Sequence, residues 1–371
     1  MTIALTLTLV ASGACAAPSS PSAWSDPYDR ARAHEQARSF GTFGMPSDWA
    51  NYGQSFADFC LQNFGFDCNR DGRQSLGADA SSEEAIAAFV RMGDSPTAAL
   101  ADIGAMFGGR ATAAGVAPDY LPPNASVLAK PDGPSLVGKP GGWVATFVGV
   151  PGFIVNTDRL TALGLPVPHT WRQLTDPRYR GLVSMGAVGR SATATMAWLA
   201  MTYAAGGSVD DLDPGVDVGR LLVLNTRGVP PGTDDQLKHG DVPIQVGYDF
   251  TLIARTIAMK AEGVTTEAVI PADGSLYVPF AVLANTHDRA HMDLAKMFLE
   301  WVLSDAGQAE FARFGARPIR SIEGVGTLNV PADARATWLS DDAYGAVRFV
   351  DPAAVDMARL GAVWTSRVLA P

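Results

Sequence analysis

The chain has 371 residues, of which 47% are hydrophobic and 18% charged, and 38 acidic against 28 basic residues leave a formal net charge of −10. That length suits two domains or one domain of two lobes, and the composition supplies a packed core. An acidic balance with no run of Lys and Arg excludes a protein that grips a nucleic-acid backbone.

The chain opens with "MTIALTLTLVASGACAAPSS". An apolar stretch from Ile3 to Ala11 followed by small residues reads as a secretory signal, too short to span a bilayer as a helix. Ala14-Cys15-Ala16 fits a cleavage site, and Cys15 is alternatively a lipid-modified N-terminus; the segment before the apolar run has no Lys or Arg. Export leaves Cys60 and Cys68, eight residues apart. In an oxidising compartment they can form a disulfide; two buried thiols are the alternative.

Residues 17–37 are rich in Pro and Ser and then in charge, which predicts a tether. "RSFGTFGMPSDW" predicts a short strand ending in a Pro turn. "YGQSFADFCLQNF" has apolar residues at helical spacing, and Gly65 stops that helix. The run Asp67 to Gly72, "DCNRDG", matches the start of a calcium loop. Counting from Asp67, the twelfth position is Ala78, so the bidentate glutamate is missing. A turn over Asn69-Arg70-Asp71-Gly72 is the better reading, with Asp79 and the serines after it at the mouth of a cleft. "SSEEAIAAFVRMG" predicts a helix capped by Ser81 or Ser82 with acids in its first turn. "AALADIGAMFG" predicts a strand leading into a glycine turn at Gly104.

The pattern then repeats. "GGWVATFVGVPGFIVNT" gives two extended runs broken at Pro151-Gly152. "RGLVSMGAVGRSATATMAWLAMTYAAGG" and "DVPIQVGYDFTLIARTIAMKAEG" each give strand, turn, helix. "EAVIPADGSLYVPFAVLANT" gives two more extended runs around a turn, and "HMDLAKMFLEWVLSDAGQAEFARFG" predicts amphipathic helix. Alternating strands and helices make an α/β protein. The extended runs near 143–156 and 268–284 are candidate crossings between two lobes, with a ligand in the cleft between them.

Nine stretches in chain order carry a family resemblance: "GMPSDWANYG", "GADASSEE", "ADIGAMFG", "FIVNTDRL", "TWRQLTDPRYRGLV", "YAAGGSVDDLDPGVD", "HGDVPIQVGYD", "IPADGSLYVPFAVLAN" and "FLEWVLSDAGQAEFARFGARPIR". From about Phe40 to Arg320 the chain resembles the extracellular solute-binding proteins of bacterial ABC importers, in the group with ferric-iron, phosphonate, sugar-phosphate and thiamine binders. The resemblance implies the two-lobed, type II periplasmic-binding fold with two crossing strands and a central cleft. The divisions expected are a signal peptide at 1–16, a tether at 17–37, a first lobe at 38–148, a second lobe at 149–270, a return to the first lobe at 271–320, and a C-terminal helical segment at 321–371.

In such a fold, strand ends and helix N-termini hold the ligand, where free N–H groups and the helix dipole favour anions. Trp49, Asn51 and Tyr52 offer aromatic faces and an amide, though Trp49 can equally plug the lobe. Ser81 and Ser82 cap a helix and, with Gly104, face the expected cleft. Ser191 and Thr193 open another helix after a glycine turn, and Arg190 beside them can grip a carboxylate, phosphonate or phosphate. Tyr248 and Asp249 end an apolar strand; the carboxylate can accept a ligand amine or cap the next helix. Tyr277 faces either the cleft or the core of a crossing strand. His287 and His291 are four apart, but Asp288-Arg289-Ala290 between them lacks the metalloprotease glutamate, so a solvated helix start is expected. "SMGAVGRS" falls short of a phosphate-binding loop at Ser184 and Arg190. Ferric binders of the group use adjacent tyrosines, and this chain has no Tyr-Tyr.

These readings converge on an exported, monomeric, non-enzymatic protein without metal or cofactor, periplasmic or lipid-anchored. It captures a small polar solute, a phosphonate, phosphate ester or other small anion or zwitterion, and hands it to an ABC permease. The alternatives are an amine, polyamine or Fe(III) ligand on the same fold, or an exported metal-dependent hydrolase.

Overall fold

The computed structural model describes residues 20–69, 75–78, 80–130, 133–227 and 232–370. The expected signal peptide, Cys15, Asp79 and Arg70-Asp71-Gly72 of the "DCNRDG" run lie outside the described residues. Before Arg70, Asp67 accepts a hydrogen bond from the Asn69 N–H at 2.7 Å.

The described residues form two sheets. The larger holds β1 (Thr42–Phe43), β2 (Ser75–Leu76), β3 (Leu100–Gly104), β4 (Trp143–Gly149), β9 (Ser275–Ala284), β10 (Arg317–Pro318) and β11 (Val347–Phe349), in the order β10-β4-β9-β3-β1-β2, with β11 on β9. The smaller holds β5 (Pro151–Asn156), β6 (Val183–Ser184), β7 (Ile244–Tyr248) and β8 (Thr266–Val269), in the order β6-β7-β5-β8. Both mix parallel and antiparallel pairs.

The chain passes between sheets where the extended runs were expected to cross. Only Val150 separates β4 in one sheet from β5 in the other, and a short turn separates β8 from β9. The crossings touch: Ser275 Oγ donates to the Pro151 carbonyl at 2.7 Å. Gly152 permits the approach, because a Cβ there would lie 2.3 Å from the Val269 carbonyl oxygen.

Local sequence explains most elements. The helix Tyr52–Phe64 buries Tyr52, Phe56 and Phe59, spaced three and four apart, and ends at Gly65 in the left-handed region with φ 79°. Phe56 stacks on Phe298 at 4.3 Å between centroids; fully burying one such ring contributes about 1.5–3 kcal/mol. The disulfide Cys60–Cys68 forms and ties the end of this helix to the following loop. Ser81 caps the helix Ser82–Met92 in a full capping box with Glu84.

Three stretches differ from expectation. The amphipathic run after His291 is two helices, Met292–Trp301 and Asp305–Phe314, because the Ser304 hydroxyl accepts from the Gly307 N–H and starts a second helix. From Ser20 on, the expected tether lies against the larger sheet's lobe. Buried Glu300 accepts bonds from Ser22, Ala23 and Tyr120, and Trp24 packs edge-on against Phe59. Within 321–371, helix is continuous only over Met357–Val363 and the wider turn Trp364–Val368 that extends it. That helix is anchored to the second lobe: Arg359 donates to the carbonyls of Val209 and Asp210, and Trp364 meets Trp198 at 5.4 Å. Just upstream, β11 is paired with β9 and the turn Pro352–Ala354 packs against Ala105–Phe107 of the first lobe. The C-terminal segment therefore spans both lobes.

Candidate functional site

Between the lobes lies a cavity of ≈ 1000 Å³. One wall comes from the first lobe: Trp49, the start of the helix Ser82–Met92, and the end of β3 with Asp102 and Gly104. The other comes from the second lobe: the turn Gly186–Arg190, the start of the helix Ala192–Ala204, and Tyr248 at the end of β7. Met357 and Ala358 of the C-terminal helix close one side. That helix reaches the wall because Gly361 lies against Gly189; a Cβ on Gly361 would sit 2.8 Å from the Gly189 Cα.

The two helix starts are not equivalent. On the first wall, Glu83 and Glu84 already occupy the first turn. Glu84 accepts from the Ser81 N–H at 2.7 Å and from its hydroxyl at 2.9 Å, and Glu83 pairs with Arg110. Ser82 Oγ accepts from the Gly104 N–H at 3.0 Å, tying helix to strand. On the second wall, the helix Ala192–Ala204 has no acid in its first turn. Ser191 Oγ accepts from the Ala194 N–H at 3.2 Å. The amides of Ala192 and Thr193 precede the first intrahelical bond and have no partner within the helix. Arg190 beside them is exposed to the cavity, and its guanidinium has no ion-pair partner among the described residues. Positive charge and free donors thus gather on the second wall.

Asp102 marks the first wall. It stands in an otherwise apolar strand, and each of its oxygens accepts from a neutral side chain: Oδ2 from Trp49 Nε1 at 2.8 Å, Oδ1 from the Tyr52 hydroxyl at 2.9 Å. Burial pushes this carboxyl up to about 7, against the downward pull of those two bonds. Around it are rings: Phe280 lies edge-on to Trp49 at 5.9 Å and to Tyr248 at 5.2 Å. Burial also raises the Tyr248 phenol, which bonds Thr193.

Of the residues expected from sequence, Trp49, Ser81, Ser82, Gly104, Arg190, Ser191, Thr193 and Tyr248 line the cavity together. Tyr52 is fully buried beneath it and acts only through Asp102. Three others correct the expectation. Asn51 is in the left-handed region at φ 62°, and its amide is spent on the carbonyl and carboxylate of Glu310. Asp249 has no exposed surface; it accepts from the Val150 N–H at 2.8 Å and the Tyr344 hydroxyl at 2.9 Å, so it fastens the crossing instead of facing a ligand. Tyr277 packs with Val150, Ile270 and Tyr344 on the crossing's far side, near Phe349. His291 bonds Asp288 at the start of its helix, and no cluster of three His, Cys, Asp or Glu side chains gathers among the described residues.

Sequence reasoning missed Asp102, Phe280, Arg110 and Met357. A lone carboxylate inside the apolar strand "LADIG", just before a glycine turn, was the available signal for Asp102. Nothing local marks Met357.

A family model described as bacterial extracellular solute-binding protein matches residues 99–344. An uncharacterised protein of Haemophilus influenzae is 32% identical over 166 residues, 44% of this chain and 45% of that protein, so the match spans about half of the relative's length. Among solved structures, the periplasmic binding protein AfuA from Actinobacillus pleuropneumoniae, with exogenous fructose-6-phosphate bound, is similar at a TM-score of 0.67 and 19% identity, over 90% of this chain and 99% of that one. The apo ferric ion-binding protein A of Pasteurella haemolytica is similar at 0.60 and 14% identity, over 88% and 97%. These likenesses show a shared two-lobed fold.

Proposed function

The chain belongs to the bacterial extracellular solute-binding proteins, and from that premise we propose that it captures a small organic phosphate or phosphonate between its lobes and delivers it to an ABC permease. The observation that carries this reading is the turn Arg190–Thr193: a guanidinium without an ion-pair partner among the described residues, beside a helix start that holds free N–H groups and no acid. Tetrahedral anions suit both features, since the amides and the fork of Arg donate to several oxygens at once. The opposite helix start is already neutralised by Glu83 and Glu84, so the anion belongs on the second wall.

Binding here is capture without turnover. A ligand that touches both walls favours the closed arrangement by its differential affinity for it. The short crossing at Val150 and the turn between β8 and β9 are where closure would bend the chain. Ferric ion fits less well, because burial raises the Tyr248 phenol and so works against the phenolate such a site needs. The mature chain acts as an exported monomer, and Cys15 is the residue a lipid anchor would use.

A thermal-shift screen over phosphate esters, phosphonates, thiamine, polyamines and Fe(III) tests this: phosphate or phosphonate compounds are expected to raise the melting temperature. Arg190→Ala is expected to weaken their binding by about 2 kcal/mol, roughly 30-fold, by loss of charged hydrogen bonds. Stabilisation by Fe(III) or polyamine alone, or unchanged affinity in the variant, would overturn the reading.

A further inference from the structure

The cavity walls carry opposite charge, and the anion reading for the second wall leaves the first wall to be explained. Three carboxylates line that wall. Glu83 is paired with Arg110, and Glu84 is held by Ser81. Asp102 has no cation beside it among the described residues: both its donors, the Trp49 indole and the Tyr52 phenol, are neutral. Trp49, which bonds it, packs on Phe280 and Phe280 on Tyr248, and all three rings reach the cavity surface. A carboxylate without a counter-ion in a corner of aromatic rings is the chemistry that receives an ammonium, through Coulomb attraction and the faces of the rings.

We propose that the ligand is a zwitterion, an aminoalkyl phosphate or phosphonate, whose ammonium sits at Asp102 while its anionic end sits at Arg190–Thr193. Asp102 is then the residue that selects it, and Trp49 and Tyr52 are positioning residues that fix the carboxylate. The proposal rests on the anion reading above and adds the ligand's second charge. It also explains closure, because one molecule satisfies opposite charges on two lobes. Burial pushes this carboxyl up to about 7, so it is partly protonated at pH 7 and gives up that share of a proton when an ammonium arrives.

The test is calorimetric titration of the full chain with 2-aminoethyl and 3-aminopropyl phosphate, ethyl and propyl phosphate, and fructose 6-phosphate, at pH 7 in buffers of different ionisation enthalpy. An amino compound is expected to bind at least about 30-fold tighter than its alkyl analogue, with proton release. Asp102→Asn should bring that ratio close to one. Alkyl phosphates or fructose 6-phosphate binding as tightly as the amines would overturn the ammonium assignment and leave the anion reading standing. If no phosphate compound binds, both fall.

Discussion

Two aspartates, one half-buried at the cavity and one fully buried at a crossing, show how alike two different settings can look. Asp102 stands in the middle of β3 and Asp249 directly after β7, each beside apolar strand residues. Each accepts two hydrogen bonds, and burial pushes each carboxyl up, to about 7 and about 6. They differ in what bonds them and what they face. Asp102 is held by two side chains and opens onto the cavity. Asp249 is held by the crossing's own backbone at Val150 and by Tyr344, and has no exposed surface. Burial and a raised pKa therefore do not separate function from scaffold; access does.

The comparison breaks most visibly at Asp249. Asp249→Ala leaves the Val150 N–H and the Tyr344 hydroxyl buried without an acceptor and is expected to cost about 3 kcal/mol in denaturant unfolding. A cost below about 0.5 kcal/mol would remove its structural role. Tyr344→Phe deletes one of those bonds and should cost about 1 kcal/mol by the same measurement.

The pH dependence sharpens it further. Both carboxyls titrate above the ordinary 3.8, so the folded chain holds these protons more tightly than the unfolded chain does. Their contribution to stability is full below about pH 4. It is lost as pH rises through about 6 for Asp249 and about 7 for Asp102. Melting temperature measured from pH 5 to 8 should fall in wild type, and Asp102→Asn should flatten the limb near pH 7 while leaving the one near pH 6. An unchanged limb would show that Asp102 does not titrate there. Smallest of all is the stability effect of Arg190→Ala, expected within about 0.5 kcal/mol because the side chain is exposed and has no ion-pair partner among the described residues. A larger loss of stability would mean that Arg190 holds the fold and not the ligand.

Much of the site was legible because helix starts announce themselves locally. Ser81 with Glu84, and Ser191 after the Gly189-Arg190 turn, are short-range signals, and both helix starts reach the cavity. The two aspartates were not separable in the same way. Tyr248-Asp249 and "LADIG" present the same pattern of a carboxylate on an apolar strand, and only the partners Tyr344 and Trp49, 95 and 53 residues distant, tell them apart. Asn51 misled for a related reason: its amide is claimed by Glu310, 259 residues away.

The sequence by itself determined the alternation of strands and helices, the capped helix starts, the two crossings and an acidic balance without a run of basic residues. Those follow from periodicity, cap chemistry and composition, which act within a few residues. The tertiary structure alone decided which carboxylate faces the cavity, that Met357 closes its side, and that opposite charges confront each other across the cleft. Those depend on contacts between segments far apart in the chain, where burial and hydrogen-bond partners are set by packing and leave no local mark.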